Sequence, residues 1–153
     1  MSRFSLDVNV MYAKKILNPK GWLIGLGILV ILLASGNIAG SEEIAETSWG
    51  KDNIKGNEAA YEEMWALHLI PLGIMAITTG LVVKGKALSQ IAMAASGTVV
   101  VVIGGGMGFM TQRHDYGTSG GAATLIPLIV MLLVILLGVA GYMHKDDTEE
   151  SGE

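Results

Sequence analysis

Residues 65–83 read WALHLIPLGIMAITTGLVV and residues 87–110 read ALSQIAMAASGTVVVVIGGGMGFM, with only Lys84-Gly85-Lys86 between them. Each run supplies roughly the twenty apolar residues an α-helix needs to cross a hydrocarbon core of about 30 Å, and the two lysines mark where both ends meet water. The pair predicts a transmembrane helical hairpin and sets the class of the chain, an all-α integral membrane protein. With 51% hydrophobic residues among 153 and a mean hydropathy of +0.52, there is more continuous apolar chain than a soluble domain of this size buries.

Upstream, residues 1–20 carry Arg3, Lys14, Lys15 and Lys20. Phe4, Leu6, Val8 and Val10 alternate there before Met11, Tyr12, Ile16 and Leu17, which suits an interfacial cytoplasmic segment. Asn18-Pro19 marks a helix start, because Asn caps free amides and Pro at the first helical position loses no hydrogen bond. A first span of about 22–39 comes next. A cleaved signal peptide ending near SGNIAG is the rival reading; a retained anchor is favoured, because the apolar run is longer than a signal core. Residues 41–64 form an acidic outer loop, with Glu42, Glu43, Glu46, Asp52, Glu58, Glu62 and Glu63 against Lys51 and Lys55. Gly50, Asn53 and Gly56 make its first half irregular. Asn57 is the expected cap of a second helix that runs to Lys84, about 42 Å, so that its first two turns extend outside the lipid.

The remaining spans are about 66–83, 88–110 and 124–143, completing a four-helix transmembrane domain over 21–144. The polar link 111–121 has too many turn formers to remain in lipid. Pro127 falls in the first turn of the fourth span, where it is tolerated. The acidic tail 145–153 has no apolar face and is expected to be disordered.

Seven basic residues (Arg3, Lys14, Lys15, Lys20, Lys84, Lys86, Lys145) flank the spans on the amino-terminal side and three (Lys51, Lys55, Arg113) on the other. That bias places both termini in the cytoplasm of a multi-pass protein of the cell membrane. The absence of cysteine removes disulfides, thiolate metal sites and iron–sulfur ligation by this chain. The formal charge of -4 and the lack of a basic patch argue against nucleic acid as a partner.

No ionisable side chain falls midway along a span, which counts against a self-contained pump or voltage sensor. Small residues recur instead: Ala92, Ser96, Gly104 and Gly108 in the third span, Gly73, Ala76 and Gly80 in the second, Gly21 and Gly25 in the first, Gly138 and Gly141 in the fourth. Such rows let helices approach closely, within this bundle or against another integral-membrane subunit.

If the two arms of the hairpin rise equally from their turn, Met64 lies level with Met107, and His68 with about Gly104. On that geometry His68 and His114 sit about 15 Å apart along the membrane normal. A lower cluster of His68, Met64 and Met107 then offers imidazole and thioether ligands of the kind copper or haem iron accepts. The plainer account is a helix-edge histidine among ordinary apolar methionines. An upper cluster of Glu58, Glu62, His114 and Asp115 could hold Zn²⁺ or Cu²⁺, or, with Arg113, form an ion-pair network. Trp49, Tyr61, Trp65 and Tyr116 near the same surface read as part of an aromatic belt.

These features lead to one principal expectation: a non-catalytic accessory subunit of a larger integral-membrane complex of redox or energy metabolism, such as a membrane oxidase or monooxygenase. The alternatives are a small haem- or copper-binding redox protein and a small oligomeric transporter or channel. Catalysis by this chain alone is not expected, since no nucleophile and base share a productive spacing.

Overall fold

The computed structural model describes residues 11–118 and 121–147, and its only regular structure there is helical. Residues 11–16 form a short helical segment. The alternating stretch 4–10 and tail residues 148–153 lie outside the described residues. Beyond the short segment come a 3-10 turn, Lys51–Asn53, and six longer helices: α1 (Pro19–Ala39), α2 (Ser41–Trp49), α3 (Glu58–Val82), α4 (Gly85–Thr98), α5 (Gly105–His114) and α6 (Ala122–Met143). A wider π-helical stretch, Val99–Gly104, joins α4 to α5, so that Gly85–His114 is one continuous rod. Four rods, α1, α3, α4–α5 and α6, are long and apolar enough to cross a membrane.

Local signals explain most of the boundaries. The Asn18 side chain accepts the Lys20 amide at 3.0 Å, with Pro19 opening α1 as its missing N–H allows. At α3 the expected cap is replaced. Asn57 makes no capping bond; instead Glu58 Oε2 accepts the amides of Lys55, Gly56 and Asn57 at 2.8–3.0 Å. A carboxylate serves better than an amide here because its charge meets the positive end of the helix dipole. The irregular loop expected after residue 41 is in fact helix α2, bracketed by Gly40 and Gly50. It buries Ala45 and Ser48 and packs on α3, and tertiary contact of this kind is what holds a nine-residue helix in place. The third rod also outruns its expected end at 110, stopping at Asp115 in the left-handed conformation (φ 54°).

The hairpin does not pack as its sequence suggests. α3 and α4 are joined only by Val83 and Lys84 but diverge; α3 packs chiefly on α1, and α4 on α6. Glycines account for both pairs. A Cβ on Gly27 would stand 2.6 Å from the Gly73 carbonyl oxygen, and one on Gly80 3.1 Å from that of Lys20, so α1 and α3 are in near-backbone contact. On the other side a Cβ on Gly138 would meet Ser96 Oγ at 2.6 Å, and one on Gly141 the Ser89 carbonyl at the same distance. Leu23 and Leu26 of α1, Leu88 and Ala92 of α4 and Val134 and Leu137 of α6 make the core between the pairs. The expected single row on the third rod is broken: Ala92 and Ser96 are buried, Gly104 meets Met131, and Gly108 meets nothing. One residue of π-type widening rotates the remainder of the rod by about 100°.

At the pole where α1 begins and α6 ends, the terminal pole, the described ends of the chain meet. Lys14 Nζ donates to Asp147 Oδ1 at 2.8 Å, and the His144 ring lies between Asp147 Oδ2 (2.6 Å) and the Lys14 carbonyl (3.0 Å). Residues 145–147 thus turn back onto the amino-terminal segment, where disorder is the sequence expectation. The Lys14 ammonium first, and the His144 ring with it, hold the Asp147 carboxyl below its ordinary value of 3.8. A lowered carboxylate contributes stability above its unfolded value and loses it as pH falls through the folded one. Asp147→Asn is therefore expected to flatten the loss of thermal stability between about pH 5 and about pH 3. Melting curves in detergent across that range check it.

Candidate functional site

The opposite pole, which α2 caps, is where polar side chains from separate elements converge. Glu62, one turn after Glu58 on α3, is only 3% exposed. The Trp49 indole donates to its Oε1 at 3.0 Å, and the Tyr116 hydroxyl donates to the same oxygen at 3.0 Å. Trp49 ends α2 and Tyr116 comes just after α5, so a single carboxylate ties the short helix and the α5–α6 link to α3. The Trp49 and Tyr116 rings meet edge to face at 5.1 Å, and the Gly117 amide donates to the Ser48 carbonyl at 2.7 Å. Ser41 Oγ donates to Glu63 at 2.8 Å nearby.

This is a hydrogen-bonded network in place of the ion pairs considered from sequence. Arg113 lies over the Phe109 ring, 5.6 Å from its centroid, and forms no salt bridge with Glu58 or Glu62. Nor do the upper-cluster residues form a ligand set. Glu58 is occupied by three amides and Glu62 by two side-chain donors, the His114 ring leans on Trp49 at 6.4 Å, and Asp115 is an exposed helix end. Among the described residues no three of His, Cys, Asp or Glu stand together as a metal-binding group. Sequence reasoning misses Trp49 and Tyr116 as members of the cluster, because it assigns both to an aromatic belt. Their polar tips carry the missing signal, since a buried indole or phenol needs a hydrogen-bond partner.

Burial first, and the Glu62 carboxylate second, push the Tyr116 phenol up to about 12. A raised folded value means that this tyrosine stabilises the fold below its ordinary value of 10.0 and that the contribution disappears as pH climbs towards about 12. In an ultraviolet titration Tyr116 is expected to ionise near pH 12, and Glu62→Gln to bring it forward. An unchanged titration in that variant would contradict the assignment.

The lower cluster is only half assembled. His68 Nδ1 lies 2.6 Å from the Met64 carbonyl oxygen, one turn earlier on α3, and both side chains are exposed. A carbonyl can only accept, so Nδ1 carries a proton and donates it there. Met107 belongs to α5, on the rod that diverges from α3, so an equal rise of the two arms does not make it a packed neighbour of His68. Gly104, which an equal rise of the arms sets level with His68, faces Met131 of α6.

Compared with known proteins, the chain matches no family model, no curated protein and no solved structure.

Proposed function

We propose that this chain is a non-catalytic accessory subunit of a larger integral-membrane complex, its four rods crossing the cell membrane with both termini on the cytoplasmic side. The observation that carries this reading is the α5 end of the third rod. α5 has no buried residue, and a Cβ on Gly105, Gly106 or Gly108 would meet nothing within 4 Å. A glycine-rich helix without a partner forgoes the close backbone packing by which helices associate in lipid, and a helix from another subunit would supply it. The network around Glu62 supports the reading too, because its carboxylate is engaged in holding the chain together.

Affinity purification in mild detergent followed by native electrophoresis tests the proposal. Co-migration with a defined integral-membrane partner is the expected result, and migration only as a monomer or homo-oligomer would sink it. Because the chain has no cysteine, single cysteines introduced at Thr47 and Lys145 report sidedness cleanly. Lys145 is expected to label from the cytoplasmic face and Thr47 from the opposite one, in line with the bias of basic flanks.

One observation favours a second reading, a small haem or copper protein. The exposed His68 ring is tied through Nδ1 to the Met64 carbonyl, as the backbone bond behind a metal-ligating histidine would tie it. An optical spectrum and metal analysis of the purified chain decide this, since a colourless, copper-free preparation would exclude it.

A further inference from the structure

We propose that the groove between the amino-terminal helical segment, α1 and α6 binds one anionic phospholipid, its acyl chain along α1 and its phosphate beside Lys15 and Lys20. The groove has a volume of about 410 Å³ and is lined by Ile16, Gly21, Trp22, Gly25, Leu29 and Leu133. That volume is within the ~300–1,000 Å³ of small-molecule sites. Its floor is open by construction: Gly21 and Gly25 lie one turn apart on α1, and a Cβ on either would meet nothing within 4 Å. Gly27 of the same helix is closed against α3, so α1 presents one filled glycine face and one empty one. The wall is held in place, since the Trp22 indole donates to the Ile16 carbonyl at 3.0 Å and fixes the amino-terminal segment across the terminal end of the groove.

Charge identifies the occupant. Lys14 is neutralised by Asp147, but Lys15 and Lys20, which flank the lining residues Ile16 and Gly21, are exposed and form no salt bridge among the described residues. Two exposed lysines, each next in sequence to a residue that lines the terminal end of an apolar groove, match a phosphate with a hydrocarbon chain below it. A straight helix from another subunit fits less well, because Ile16 stands at the terminal end where such a helix would continue, whereas an acyl chain can end at its headgroup there.

The inference rests on the rods crossing a bilayer, and two measurements separate failure of that premise from failure of the site. Native mass spectrometry of the full chain, titrated with phosphatidylglycerol or phosphatidylcholine, is expected to show one retained phosphatidylglycerol and a preference on the order of tenfold. Lys15→Gln with Lys20→Gln should reduce the preference to near unity, and Gly25→Leu, which projects into open space, should abolish retention without unfolding the chain. Equal retention of both lipids, or an unchanged preference in the double lysine variant, overturns the site. In vesicles, brominated phosphatidylglycerol is expected to quench tryptophan emission more than brominated phosphatidylcholine. Equal quenching by the two overturns the site but leaves the rods in the bilayer, and no quenching by either overturns the premise.

Discussion

Gly73→Leu is expected to separate α1 from α3 and to destabilise the fold by about 3 kcal/mol or more, the upper end of what overpacking a filled interior costs. Even the first added carbon has no room. A Cβ on Gly73 would lie 2.6 Å from Ile31 Cγ1 and 2.8 Å from the Gly27 carbonyl oxygen, and the backbone cannot swing aside as a side-chain tip can. Gly73→Ala should therefore cost roughly 1–2 kcal/mol although alanine is the better helix former. Gly27→Leu should behave alike, since its Cβ would reach the Gly73 carbonyl at 2.6 Å and Ile77 Cγ1 at 2.7 Å. Because the two glycines share one contact, the double variant should cost less than the sum. Gly21→Leu and Gly97→Leu, which enter open space, should stay within about 0.5 kcal/mol of the parent. Unfolding by heat or dodecyl sulfate in detergent micelles measures all of these. A Gly73→Leu variant as stable as Gly97→Leu would refute the α1–α3 contact.

Glu62→Ala should cost roughly 2–4 kcal/mol, with the damage confined to the pole that α2 caps. The substitution removes the common acceptor of the Trp49 indole and the Tyr116 hydroxyl, and each buried donor left without a partner costs about 1–3 kcal/mol. Glu62→Gln retains one acceptor oxygen and should cost about half as much. Hydrogen exchange should accelerate over residues 41–53 and 115–118, while the paired glycine faces nearer the terminal pole remain protected. Trp49→Phe removes one of the orphaned donors, so combining it with Glu62→Ala should cost less than the two single effects added together. Exchange rates that rise equally along all four rods would show that Glu62 supports the whole bundle rather than this cap.

The candidate site was legible in its carboxylates but not in their bonding or in the two aromatic donors that complete it. Glu58 and Glu62 stand out from sequence as carboxylates one turn apart above an apolar run, and the structure does place them, with His114, at one pole. What each carboxylate does there depends on donors elsewhere in the chain: the amides of Lys55 to Asn57 for one, Trp49 and Tyr116 for the other. The acidic run from residue 41 looked like an irregular loop because Gly50, Asn53 and Gly56 break its pattern. Packing on α3 makes 41–49 of it a helix. Asp147, in a tail with no apolar residue, gave no sign of its bonds to Lys14 and His144, the first of which spans 133 positions of the chain.

The amino-acid sequence by itself determined that four segments are long and apolar enough to cross a membrane, where the first of them starts, and that no titratable group lies midway along any of them. Those are properties of local stretches of chain: apolar area adds residue by residue, and a cap needs only its neighbours. The tertiary structure alone decided which helices pair, α1 with α3 and α4 with α6, although α3 and α4 are neighbours in sequence. Between apolar helices in lipid there is little hydrophobic drive to favour one partner over another. The choice falls to how closely two backbones can approach, and that depends on glycines facing each other from distant parts of the chain and on a single π turn that resets which face is presented.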